Sequence, residues 1–236
     1  MNKESRIMNL QNIPMPANLR KSAACIVTAL MATTILYACQ PSETTAPVQS
    51  CAANVIIMGT AQDAGKPQIG NNEDPAWRNS GLQRTASSLA LVDSVDKTYT
   101  IFDATPDIKY QLYRLENTAG VADLKLNGVF LTHGHMGHYL GLAQFGREAM
   151  SASALPVYAM PKLTSFLEQN GPWDLMVRLK NIEISVLEDQ TLVTLKNDVT
   201  VTPFVVPHRG EYTETVGYRI QGKTKSVIYL PDIDSW

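Results

Sequence analysis

The stretch "LNGVFLTHGHMGHYLGL" (126–142) sets three of the chain's four histidines directly behind an apolar strand. His133, His135 and His138 follow the spacing H-x-H-x-x-H. In extended chain, residues i and i+2 share a face, so His133 and His135 aim the same way. His138 opens the next helical segment and approaches from another side. Neutral imidazole is the commonest protein metal ligand. The fourth histidine, His208, also follows a strand, in "FVVPHRGEYTETVGY", and Asp232 ends another in "VIYLPDID". Strand ends are where α/β folds build sites. The chain must therefore fold so that distant strand ends meet around one metal. Asp234 and Asp63 both read as turn residues, with Asp63 in the loop after the first strand also placed to orient a water.

Hydrophobic periodicity gives the frame for that meeting. Strands are expected at 54–59, 85–92, 99–104, 126–132, 155–160, 199–207, 215–221 and 225–232. "NVIIMG" reads as a buried strand and "TASSLALV" as an alternating one. Helices are expected at 105–116, with Thr105 and Pro106 at its start, at 139–150, with Leu140, Phe145 and Met150 on its apolar side, and at 161–170, opened by Pro161. The order is mixed α/β, with helices outside two sheets. At 44% hydrophobic and 18% charged, the chain has enough apolar residues for one domain with a core. Arg147 and Glu148 read as a solvated face, Arg209 and Tyr212 as surface, and Trp77 and Trp173 as packing.

A formal net charge of -2 with no basic stripe points away from nucleic acid. Three cysteines, Cys25, Cys39 and Cys51, exclude a disulfide framework and a thiolate zinc cluster. The start of the chain differs in character. Lys3, Arg6, Arg20 and Lys21 precede an uncharged run from Ser22 to Ala38, which reads as a secretory signal or a membrane anchor. Its end, "LYACQ", resembles the lipobox of bacterial lipoproteins, with Tyr37 larger than usual. The expected organisation is a lipoprotein-type signal peptide over 1–38, a Pro/Ser/Thr tether over 39–52 beginning at a lipidated Cys39, and a folded domain over 53–236. Such a protein faces the periplasm on a lipid anchor in the bacterial cell envelope. Gln40 after the cysteine favours the outer membrane.

The histidine pattern resembles the metallo-β-lactamase superfamily, whose first motif is H-x-H-x-D-H after a buried strand, followed by a later lone histidine and a strand-end aspartate. "MGTAQDAGKPQIG", "RTASSLALV", "IFDATPDIKYQL" and "LGLAQFGREAM" are similar to one branch, the pyrroloquinoline-quinone biosynthesis protein B group and related phosphodiesterases. The resemblance implies an αββα sandwich, with its C-terminal part lying beyond Trp236. It implies metal ligands at His133, His135, His138, His208 and Asp232. The function it implies is a hydrolase in which a metal-bound hydroxide attacks an ester, phosphodiester or amide of a small-molecule substrate. Asp232 or Asp63 would orient the water. Two other readings stand beside it: an iron-dependent oxidative enzyme related to quinone-cofactor biosynthesis, and a metal-holding lipoprotein without catalysis. One departure matters most. Gly137 stands where the motif has its aspartate, giving room to substrate or permitting a special backbone angle. The expectation is one firmly held zinc on His133, His135 and His208, and a weak or empty second site with only His138 and Asp232.

Overall fold

The computed structural model describes residues 53–118 and 120–236. The signal peptide, the lipidated Cys39 and the tether up to residue 52 lie outside the described residues. Among those described, no helix is long and apolar enough to cross a membrane.

Six strands form the first sheet: β1 (Ala53–Gly59), β2 (Ser88–Asp93), β3 (Thr98–Phe102), β4 (Lys125–Phe130), β5 (Leu155–Ala159) and β6 (Ile182–Val186), in that spatial order. The β1–β2–β3 pairings are antiparallel, and those from β3 to β6 are parallel. The second sheet runs β10 (Ser226–Tyr229), β9 (Val216–Gln221), β8 (Thr200–Val205), β7 (Val193–Thr194), all antiparallel.

The period-2 alternation of strands separates two cores. One face of the first sheet, with Ile101, Val129 and Val157, packs under α1 (Ile108–Glu116), α3 (Pro161–Gln169) and α4 (Trp173–Arg178). The other face, with Leu89, Leu91, Phe102 and Phe130, meets Val201, Val216, Tyr218 and Ile220 of the second sheet. Phe102 and Phe130 stack there at 5.1 Å between ring centroids. Such a pair adds about 0.5–1.5 kcal/mol beyond its buried area. The described layers are thus helices, sheet, sheet. Among the described residues no helix covers the outer face of the second sheet, so three of the four expected layers are present.

Several local expectations change. Among the described residues β1 is an edge strand, paired with β2 on one side only, and it is only partly buried. β2 is buried at every residue, because both of its faces are covered. α1 starts at Ile108; Thr105 Oγ1 accepts from the Asp107 amide, which makes 105–107 an entry turn. The helix expected at 139–150 is not continuous. α2 spans Met136–Tyr139, then a tighter 3-10 segment spans Leu140–Phe145, and Met150 is exposed. The cause is tertiary: the His138 carbonyl accepts from Ala104, and the Gly141 amide donates to the Ala104 carbonyl, so the helical ladder is interrupted by the β3–α1 connection. β6, β7 and α4 carry no strong period and escape sequence reading.

Candidate metal centre

The site lies where β1, β3, β4, β8 and β10 end. β3 is followed at once by Asp103, a residue with φ 64°. Aspartate tolerates this left-handed turn better than most residues. The turn directs a fully buried carboxylate at the strand beside it. Asp103 Oδ1 accepts from the Thr132 amide at 2.8 Å and from its hydroxyl at 3.0 Å. Asp103 Oδ2 accepts from Tyr229 Oη at 2.9 Å and from His138 Nδ1 at 2.8 Å. One carboxylate therefore ties β4, α2 and β10 together. Asp103→Ala breaks this buried network, and the expected destabilisation is about 3–5 kcal/mol, measured by urea unfolding.

All four imidazoles have one nitrogen occupied by an acceptor from the protein. Thr132 gives its hydroxyl hydrogen to Asp103 and accepts from His133 Nδ1 at 2.9 Å. His135 Nε2 donates to Glu211 Oε2 at 2.9 Å. His138 Nδ1 donates to Asp103, and His208 Nδ1 donates to Asp234 Oδ1 at 2.8 Å. A neutral imidazole has one N–H and one bare nitrogen. These partners leave bare His133 Nε2, His135 Nδ1, His138 Nε2 and His208 Nε2, and these four turn inward.

The inward atoms crowd together. His135 Nδ1 lies 2.9 Å from His133 Nε2 and 3.2 Å from His208 Nε2. Asp232 Oδ2 lies 3.5 Å from the Nε2 atoms of His133, His138 and His208. Asp63 Oδ1 lies 3.4 Å from His138 Nε2. Two overlapping sets result, with ligand atoms within 4.8 Å of one another: His133, His135, His208 and Asp232, and Asp63, His138 and Asp232. His138 Nε2 is buried without a hydrogen-bond partner. Lone pairs facing lone pairs, beside an orphaned buried nitrogen, fit a cation at the centre.

The electrostatics agree. The His133 and His138 imidazoles hold the Asp232 carboxyl well below the usual carboxylate range, against its partial burial. The His138 imidazole likewise lowers Asp63, with burial opposing. Burial pushes His133 below an ordinary imidazole, against Asp232, which keeps it a neutral ligand. Burial also opposes charge on His138, yet Asp103, Asp232 and Asp63 outweigh it and lift the pKa to about 12. Three carboxylates around one imidazole favour positive charge, which a divalent ion supplies as well as a proton does.

A family model described as the beta-lactamase superfamily domain matches residues 98–236. The chain belongs to this superfamily. Solved structures agree with the fold of its metallo-β-lactamase members. Zn(2+)-bound PqqB from Methylobacterium extorquens is 23% identical, with a TM-score of 0.63 over 76% of this chain and 65% of that one. A diphosphatase of the PhnP family is 25% identical, with a TM-score of 0.50 over 71% and 61%. Human tRNase Z, short form, is 18% identical, with a TM-score of 0.50 over 76% and 69%. The chain spans less than two thirds of the length of the first two. No curated protein sequence matches it.

The five residues expected as ligands in this beta-lactamase superfamily chain converge in two overlapping sets that share Asp232, and Asp63 joins the second. The second set is richer than expected, with three members instead of two. Gly137 neither opens space nor needs an unusual angle: its φ lies outside the left-handed region, and Asp63 fills the room beside it. Sequence reading missed Thr132, Asp103 and Glu211, and took Asp234 for a turn residue. Thr132 is signalled only by its place beside His133 and Asp103 only by its place after a strand, and Glu211 carries neither signal. Asp234→Ala removes the acceptor that orients His208. Metal affinity is expected to fall about 10–100-fold, measured by competition with a chromophoric chelator.

Proposed function

We propose that the chain is a metal-dependent hydrolase of phosphoester, ester or amide bonds, with His133, His135, His208 and Asp232 holding its principal ion. The observation that carries this reading is the convergence of bare imidazole nitrogens on one carboxylate oxygen, each nitrogen set by an acceptor behind it. A divalent ion bound there supplies an acidified water nucleophile and a Lewis acid. The protein's share is placement. Asp232, ionised near neutral pH, offers one oxygen to both sets of imidazoles. Asp63 presents Oδ1 to His138 and keeps Oδ2 to orient the attacking water.

Among these bonds the phosphoester is favoured. A cleft begins at Ala64, next to Asp63, and is lined by Lys66, Arg84 and Arg114, with Asp107 as its single acid. An anionic substrate suits that balance. The PhnP-family neighbour is a diphosphatase, and the zinc of the PqqB neighbour makes zinc the first ion to test. The tRNase Z neighbour keeps RNA phosphodiesters within the proposal, so the weak overall charge does not exclude nucleic acid. Placement on a membrane through Cys39 is part of the proposal on the strength of "LYACQ" alone, and mass spectrometry of the N-terminal peptide tests it.

The deciding experiment is elemental analysis together with hydrolysis of bis-p-nitrophenyl phosphate by the full chain. Bound zinc with turnover abolished by His208→Ala supports the proposal. Bound iron with oxygen uptake supports oxidative chemistry instead, and bound metal without turnover of phosphate, carboxylate or amide esters supports a binding protein.

A further inference from the structure

The connection between β1 and β2 is pinned in place. The Lys66 and Arg84 backbones exchange hydrogen bonds at 2.7 and 3.0 Å, Ser87 N donates to Ala61 O at 2.9 Å, and Gly65 N closes a turn on Gln62 O at 2.7 Å. Asp63 stands on that turn. Opposite lies Gly137, and a Cβ added there would sit 2.4 Å from Asp63 Cα, 2.7 Å from its Cβ and 2.8 Å from its Cγ. Such separations are far inside van der Waals contact, and a pinned backbone cannot yield as a flexible side-chain tip does. Position 137 therefore has no room for any side chain while Asp63 is in place. In space, the side chain of Asp63 takes the place of one at position 137.

A second observation is independent of this packing. His138 Nε2, on a side chain only 2% exposed, has no hydrogen-bond partner and faces Asp63 Oδ1 at 3.4 Å and Asp232 Oδ2 at 3.5 Å. An imidazole and two carboxylates pointing at one spot suit a divalent ion with room left for water.

We propose that Asp63 replaces the carboxylate missing from the H-x-H-x-D-H motif, so that this chain holds a second divalent cation on Asp63, His138 and Asp232. The ligand has moved from the helix to the first loop, and Gly137 is the vacated position that admits it. The number of carboxylates at the site is conserved by the exchange. This inference rests on the metal reading of the site, but it concerns the second ion and the origin of its ligand.

The test is zinc stoichiometry of the full chain, by isothermal titration and by elemental analysis after desalting, with circular dichroism as the folding control. The wild type should bind two ions. Asp63→Asn, which keeps the shape, should retain the first ion and lose affinity for the second by more than the roughly 100-fold that an outer partner is worth. Gly137→Asp should lose the second ion, because its side chain and Asp63 compete for one space. The double variant, Asp63→Gly with Gly137→Asp, should recover two ions. Two tight ions in Asp63→Asn, or a double variant no better than Gly137→Asp alone, overturn the exchange. One ion in the wild type overturns the second site and leaves the principal site standing, whereas no ion in the wild type overturns both. If Gly137→Asp does not fold, the Asp63→Asn stoichiometry and the double variant still decide.

Discussion

Replacing Asp232 with alanine is expected to weaken both halves of the centre at once and to abolish turnover. Its Oδ2 lies 3.5 Å from three separate imidazole nitrogens, one of which belongs only to the second set. The loss removes a negative charge from both sets and leaves the first set with neutral imidazoles alone. Affinity for the first ion should fall by more than the roughly 10–100-fold typical of an outer-shell partner. The proposed phosphodiesterase activity should drop by at least about 10²-fold, the scale of deleting one preorganised electrostatic group. The variant should still fold, because Asp232 is partly exposed and the Asp103 network does not include it. Zinc titration alongside steady-state kinetics checks both halves. Unchanged affinity would mean that Asp232 is only a strand-end turn residue.

The second large effect is on stability. The site joins the ends of five strands from both sheets, so an ion bound there favours the native state and not the unfolded chain. At free zinc about 1,000 times Kd, the linkage stabilises by about 4 kcal/mol. For a domain of this size that corresponds to a rise in Tm of roughly 8–16 °C. Chelation should reverse the rise, and His208→Ala should abolish it. A Tm indifferent to zinc and chelator would show that no ion bridges the two sheets.

These expectations draw on parts of the molecule that differ in how plainly the sequence displays them. His133, His135 and His138 are legible because they share one short segment behind an apolar strand. His208 and Asp232 are legible because each ends a strand. The residues that set the tautomers are not: Glu211 lies 76 residues from His135 in sequence, and Asp103 lies 35 from His138. Only the fold brings them together. Asp63 shows the same limit. A turn aspartate and a motif glycine look unrelated until the backbone of one is found in the space of the other's absent side chain.

The fold divides along similar lines. β3, β4 and α3 stand out by period and by the proline at the start of α3. The helix after the histidines is shorter than its period suggests, because nothing local reveals that His138 and Gly141 pair with Ala104. β2 looks alternating because the small Ser88 and Ala90 interleave with Leu89 and Leu91, whereas burial of both faces is a property of the layers around it.

The most direct measurement is a crystal structure of the zinc-soaked full chain, with anomalous diffraction collected at the zinc edge. A peak bonded to His133 Nε2, His135 Nδ1, His208 Nε2 and Asp232, at about 2.0–2.2 Å from each, is the expected result. Zinc bound elsewhere, or imidazoles of His133, His135 and His208 that remain unligated at saturating zinc, would contradict it.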